Sequence, residues 1–177
     1  MSTASPGKPS ARWQKYVSER PITSLILIGI IATQLGTYFG YVFPAFGLPQ
    51  LPWPAYNGYL AGVFEGAGNF FVGDMLHFVN GIVFAILFGV MFREDIPMLS
   101  KSTTNGANIQ KGLLYGLIMT VISAGLLVPY AYVPRSGYGF FCFSGPDGWK
   151  LPAGILVWHL IYGLFLGLLY QPEKDGK

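Results

Sequence analysis

Four uninterrupted apolar runs dictate what this chain can fold into. They cover residues 23–43, 75–92, 112–133 and 153–170, and none holds an Asp, Glu, Lys or Arg. Each approaches the roughly 20 residues needed to cross about 30 Å of hydrocarbon at 1.5 Å per residue. A backbone in lipid must satisfy its own hydrogen bonds, so the runs should be helices. Four buried helices of a water-soluble protein would need polar outer faces, and these runs have none. Only 11% of the 177 residues are charged, against about 25% in soluble domains. The sequence therefore predicts an all-α integral membrane four-helix bundle, a single domain over residues 21–172. Cytoplasmic tails are expected at 1–20 and 173–177.

Basic residues set the expected orientation. Lys8, Arg12, Lys15 and Arg20 precede the first run, Arg93, Lys101 and Lys111 lie between the second and third, and Lys174 and Lys177 follow the fourth. Only Arg135 and Lys150 fall on the other side. The positive-inside rule then puts both termini and the middle loop in the cytoplasm. Trp53, Tyr56, Trp149 and Trp158 fall near the outer interface, where amphipathic rings collect. The first run is too long for a signal peptide and no cleavage site follows it, so it should be retained. A formal charge of +3 gives no reason to expect a nucleic-acid partner. The lone Cys142 cannot form a disulfide within one chain and reads as a small hydrophobe.

The connecting segments differ. Residues 1–10 are rich in Ser, Pro and Gly and suggest a mobile tail. The outer loop 44–73 carries Pro44, Pro49, Pro52 and Pro54; its second part, 59–71, is apolar apart from Glu65 and predicts a short helix lying on the membrane surface. Asp74 is placed to cap the second helix. The outer loop 134–152 is dense in Gly and aromatic residues, with a turn signal at Pro146-Asp147-Gly148. Apolar outer loops of this kind suit burial against a partner subunit or the lipid interface.

Two sequence patterns recur. His77-x-x-x-Gly81-x-x-x-Ala85-x-x-Phe88 in the second run matches His159-x-x-x-Gly163-x-x-x-Gly167-x-x-Tyr170 in the fourth. More weakly, Gly29–Thr33 matches Gly116–Thr120, which suggests a tandem repeat of a two-helix unit in parallel orientation. Small residues also stand four apart at Ala32, Gly36 and Gly40, at Gly81, Ala85 and Gly89, at Gly112, Gly116, Thr120 and Ala124, and at Gly163 and Gly167. Such stripes let helix backbones approach closely in lipid. Over residues 74–170 these motifs resemble a family of small prokaryotic four-helix membrane proteins of unknown function that has His-x-x-x-Gly in its second and fourth helices. The resemblance implies the fold and the repeat but no activity, and the Pro-rich outer loop departs from the family pattern.

His77 and His159, the only histidines in the chain, are the candidate site. Imidazoles within hydrocarbon are rare and face a bundle interior or a cavity. At 1.5 Å per residue they lie about 24 Å above Arg93 and about 21 Å above Glu173, at similar depth in the outer half. One reading makes them the axial ligands of a b-type haem, with a glycine one turn below each and with Arg135 and Lys150 meeting the propionates. A second has each histidine bond Asn80, Gln34, Thr37, Tyr130 or a backbone carbonyl. A metal site and a quinone or other small pocket are further alternatives. Walker, nucleophile-elbow and HExxH motifs do not occur, and the helices lack the carboxylates and lysines of proton-coupled transporters. The expectation is a non-enzymatic small subunit without a cofactor. It would pack against a larger membrane complex, of energy metabolism, or against copies of itself within the lipid bilayer. The alternative is a haem b electron-transfer subunit.

Overall fold

The computed structural model describes residues 9–92 and 105–172. Arg93, Lys101, Lys174 and Lys177, and the first part of the Ser/Pro/Gly-rich start, lie outside the described residues. The described residues form six α-helices and no strand. Four segments are long and apolar enough to cross a membrane. They correspond to α2 (Pro21–Val42), α4 (Gly66–Met91), α5 (Asn105–Ile122) with its π-helical continuation Ser123–Tyr132, and α6 (Lys150–Leu169). Ahead of them lies α1 (Pro9–Glu19), and between α2 and α4 lies α3 (Trp53–Leu60).

The small-residue stripes are the packing surfaces. α2 packs on α4 and α6, and α5 packs on α6, all four stripes being buried. In the antiparallel α5–α6 pair, a Cβ on Gly112 would strike the Gly163 carbonyl oxygen, and one on Gly163 the Gly112 oxygen. Backbones this close gain dispersion and Cα–H···O contacts that lipid cannot supply. Gly36 and Gly40 of α2 serve differently, opening a slot that the Trp158 indole of α6 fills. Outward, Leu27, Ile31, Val79, Val83, Leu87, Val121 and Leu126 are exposed, as lipid contact requires.

At the end of the bundle where the chain starts, α1 is docked rather than loose. The Trp13 indole donates to the Leu169 carbonyl at 2.7 Å, and Val17 is fully buried. The start of α2 and the end of α6 therefore lie at the same end, as four crossings require.

At the opposite end three expectations need correction. The short helix expected over 59–71 lies instead at Trp53–Leu60, and it is tucked into the bundle. Pro54 at its first turn fixes a helical φ, and Gly62 at φ 78° ends it. Gly58 against Asn69, and Gly73 against the Pro54 carbonyl, let α3 lie directly on α4. α4 consequently begins at Gly66, not at residue 75. Asp74 therefore sits inside the helix and caps nothing; the N-cap position is Glu65, whose side chain makes no capping bond. The interface belt is also smaller than expected. Trp53, Tyr56 and Trp158 are core residues, and Trp149 alone of the four is exposed.

The third crossing holds a further surprise. From Ser123 onward it is π-helical and contains Pro129, which has no N–H to give. In i→i−5 geometry its missing partner is the Ala124 carbonyl, and the Cys142 thiol donates to that oxygen at 3.4 Å. Cys142 is thus buried as expected, but it also supplies a hydrogen bond in place of the proline.

Candidate functional site

Both histidines converge on one cavity of about 40 Å³ at the level where α3 enters the bundle. That is room for about two or three water molecules. α3 contributes Trp53 and Asn57, α4 His77 and Asn80, the π-helical segment Ser123 and Tyr132, and α6 Trp158, His159 and Tyr162. The i, i+4 spacing that stacks small residues on one face also puts His77 above Gly81, and His159 above Gly163, on the buried faces of α4 and α6.

The hydrogen bonds fix the ring tautomers. Thr37 Oγ1 donates to the Thr33 carbonyl at 2.8 Å, so its only proton is used. The 2.8 Å contact between His77 Nε2 and Thr37 Oγ1 must then be donated by the imidazole, leaving Nδ1 as its lone-pair nitrogen. His159 Nδ1 lies 2.8 Å from the Ile155 carbonyl, which can only accept, so Nδ1 carries the proton and Nε2 the lone pair. No partner for His159 Nε2 exists among the described residues. Of the partners expected from sequence, Thr37 and a backbone carbonyl are used. Gln34 and Tyr130 are exposed, and Asn80 turns to Asn57 at 2.6 Å.

Aromatic rings separate the two imidazoles. Trp53 stacks on His77 at 6.5 Å and 14°, and meets His159 edge-on at 5.8 Å. Trp158 lies 5.7 Å from His77 and 5.1 Å from His159. A porphyrin clamped between the imidazoles would need both indoles to leave, so the residues present do not fit that group. Arg135 and Lys150, expected near its propionates, are exposed and line no part of the cavity. Among the described residues no group of three or more His, Cys, Asp or Glu could hold a metal ion.

Several wall residues were not singled out from sequence as site residues: Trp53, Asn57, Ser123, Tyr132 and Tyr162. Tyr162 closes the cavity floor by donating to the Gly81 carbonyl at 2.6 Å. Tyr56 stacks on Tyr132 at 6.3 Å and 12°, and burial pushes its phenol above the ordinary value. A proline-flanked tryptophan in an outer loop was the one available hint that this loop turns inward.

By length and apolarity of its helices the chain is a multi-pass membrane protein. Comparison with protein-family models, with curated proteins and with solved structures yields no match.

Proposed function

We propose that the protein is a small non-catalytic subunit of a prokaryotic cytoplasmic membrane, with both termini inside, that packs against a larger membrane complex. The observation that supports this best is the apolar character of the loops at the α3 end. Phe64, Phe140, Phe143 and Trp149 stand 60–67% exposed there, beyond the ends of the crossing helices or at them. Exposed aromatic rings at the edge of a compact bundle suit a protein contact. A complex of energy metabolism is suggested by what small apolar subunits commonly do and by the two histidines. Their engagement with Thr37 and Ile155 gives them a structural use, so the proposal rests on packing and not on electron transfer.

A photo-crosslinking residue in place of Phe64 or Phe143, activated in native membranes, should give a discrete protein adduct. Adducts with lipid alone would overturn the subunit reading. Orientation is tested separately with introduced cysteines: one at Ser136 should label with an impermeant reagent in intact cells and one at Ser100 should not. The reverse pattern would invert the topology.

A further inference from the structure

We infer that the histidine cavity is a binding site for the hydroxyl group of a lipid-soluble molecule that enters sideways from the bilayer between α4 and α5. Three observations converge on this.

The first is access. The crossing helices pack in the order α4–α2–α6–α5, and the two ends of that series, α4 and α5, do not pack along one another. Described side chains bridge the seam toward both of its ends, Phe88 and Phe92 meeting Tyr115 on one side of the cavity. Toward the α1 end, Tyr115 OH donates to the Phe84 carbonyl at 2.8 Å. Toward the α3 end, Tyr56 lies flat on Tyr132. Between these bridges the cavity wall is made by Phe84 of α4 and Leu127 of the π-helical segment, both half-buried. A seam with apolar, half-buried lips suits a molecule whose body stays in hydrocarbon.

The second is the polarity inside. His159 is buried at 5% exposure, its proton is committed to Ile155, and Nε2 remains an acceptor on the cavity wall. A lone pair on the wall of such a cavity, without a protein donor, is free to accept from a ligand. Two other lining residues, Trp53 and Trp158, hold buried indole N–H groups without a partner among the described residues, so the group that suits the cavity both accepts and donates, as an O–H does and an ether or a ketone does not.

The third is size. About 40 Å³ takes a hydroxyl and the atoms that bear it, not a ring system with several substituents. The remainder of the ligand lies in the seam. The π-helical segment supplies Ser123, Leu127 and Tyr132 to the cavity wall, and such segments recur at functional sites.

The probe is farnesol, an isoprenoid alcohol, set against its methyl ether, with the full chain in lipid nanodiscs. Binding is read from intrinsic tryptophan fluorescence and from Tm. Farnesol should bind saturably and raise Tm, and the ether should bind about tenfold more weakly, the value of one hydrogen bond. Leu127→Trp should plug the seam and abolish saturation. Val83→Trp, on the exposed face of α4, should leave binding unchanged. His159→Ala should remove the preference for the alcohol over the ether; if that variant fails to fold, Leu127→Trp and the ether still decide. Absence of saturable farnesol binding, meaning that the cavity holds water only, would overturn the inference. So would equal affinity for alcohol and ether, or undiminished binding to Leu127→Trp. None of these results bears on the crosslinking test, so this inference and the subunit reading fail separately.

Discussion

Along the pair α2–α4, side chains mediate the approach: Thr37 receives the imidazole of His77, the Thr33 hydroxyl stands where a Cβ on Gly81 would be, and Gly29 abuts Ala85. Along α5–α6 the same spacing brings main chain onto main chain, with Gly116 against the His159 carbonyl, Gly112 against Gly163, and Gly167 against the Asn108 carbonyl. His-x-x-x-Gly occupies equivalent places in α4 and α6, yet one histidine bonds across to the neighbouring helix and the other to its own. A shared motif thus fixes where a ring sits in a bundle without fixing what it does. The pairs also differ in exposure. α4 keeps most of its surface toward lipid, with Met75, Val79, Val83, Leu87 and Val90 all exposed, whereas α6 is held between α2 and α5.

The largest expected effect separates the pairs directly. A methyl group at Gly163 meets a backbone oxygen that cannot rotate away, while one at Gly81 meets the Thr33 side chain, which can. Gly163→Ala should cost about 3 kcal/mol and Gly81→Ala about 1 kcal/mol, the two ends of the usual range for overpacking. The corresponding leucine variants should reduce folded yield in the same order. Thermal unfolding in mild detergent measures this, and equal losses would dissolve the distinction between side-chain and main-chain packing.

The histidines give an intermediate effect. A double-mutant cycle between His77→Ala and Thr37→Val should return a coupling of about 0.6–1.7 kcal/mol, the range for interhelical hydrogen bonds in membranes. A cycle between His159→Ala and Thr37→Val should return none, because His159 bonds within α6. Coupling in both cycles would mean that the two rings act as one unit. The purified protein should also be colourless in both oxidation states with haem supplied. The narrow visible bands of a bis-imidazole haem, lost on either His→Ala change, would displace the indole-filled arrangement altogether.

The crossings and the stripes were legible because lipid simplifies the code. Length and absence of charge identify a span, and a four-residue period of small residues identifies its contact face. What sequence hid was wherever apolar residues have more than one place to go. Trp53 and Trp158 are as compatible with an interfacial belt as with a core, and only the slot at Gly36 and Gly40 decides for Trp158. The segment 59–71 looked like a surface helix because Gly66, at φ 68°, starts a longer helix well before the apolar run does. Packing brings Thr37 to the His77 ring and Gly116 to the His159 carbonyl, and neither contact is written in a sequence period.

The smallest effect concerns Cys142, on the α5–α6 side, whose thiol serves the carbonyl left without a donor by Pro129 in the π-helical segment. Cys142→Val keeps the volume but removes the proton donated to the Ala124 carbonyl, leaving that oxygen without its partner. The expected loss near neutral pH is about 1 kcal/mol, the ordinary net worth of a hydrogen bond. Burial pushes the thiol from 9.0 up to about 11. A group whose folded value is raised holds its proton more tightly when folded, so its contribution is complete below pH about 9 and declines as pH rises toward 11. Parent and Cys142→Val should therefore differ most near neutral pH and converge in the alkaline range. Burial raises Tyr56 and Tyr138 too, with Asp147 and Cys142 helping; because the Cys142 charge adds to both tyrosine shifts, the two proteins are compared below the range in which the phenols ionise. The folded parent should also resist maleimide at pH 8, since the thiol is fully buried and protonated. Rapid labelling of the folded protein, or a stability difference that widens with pH, would show that the thiol faces water and that the Ala124 carbonyl is satisfied in another way.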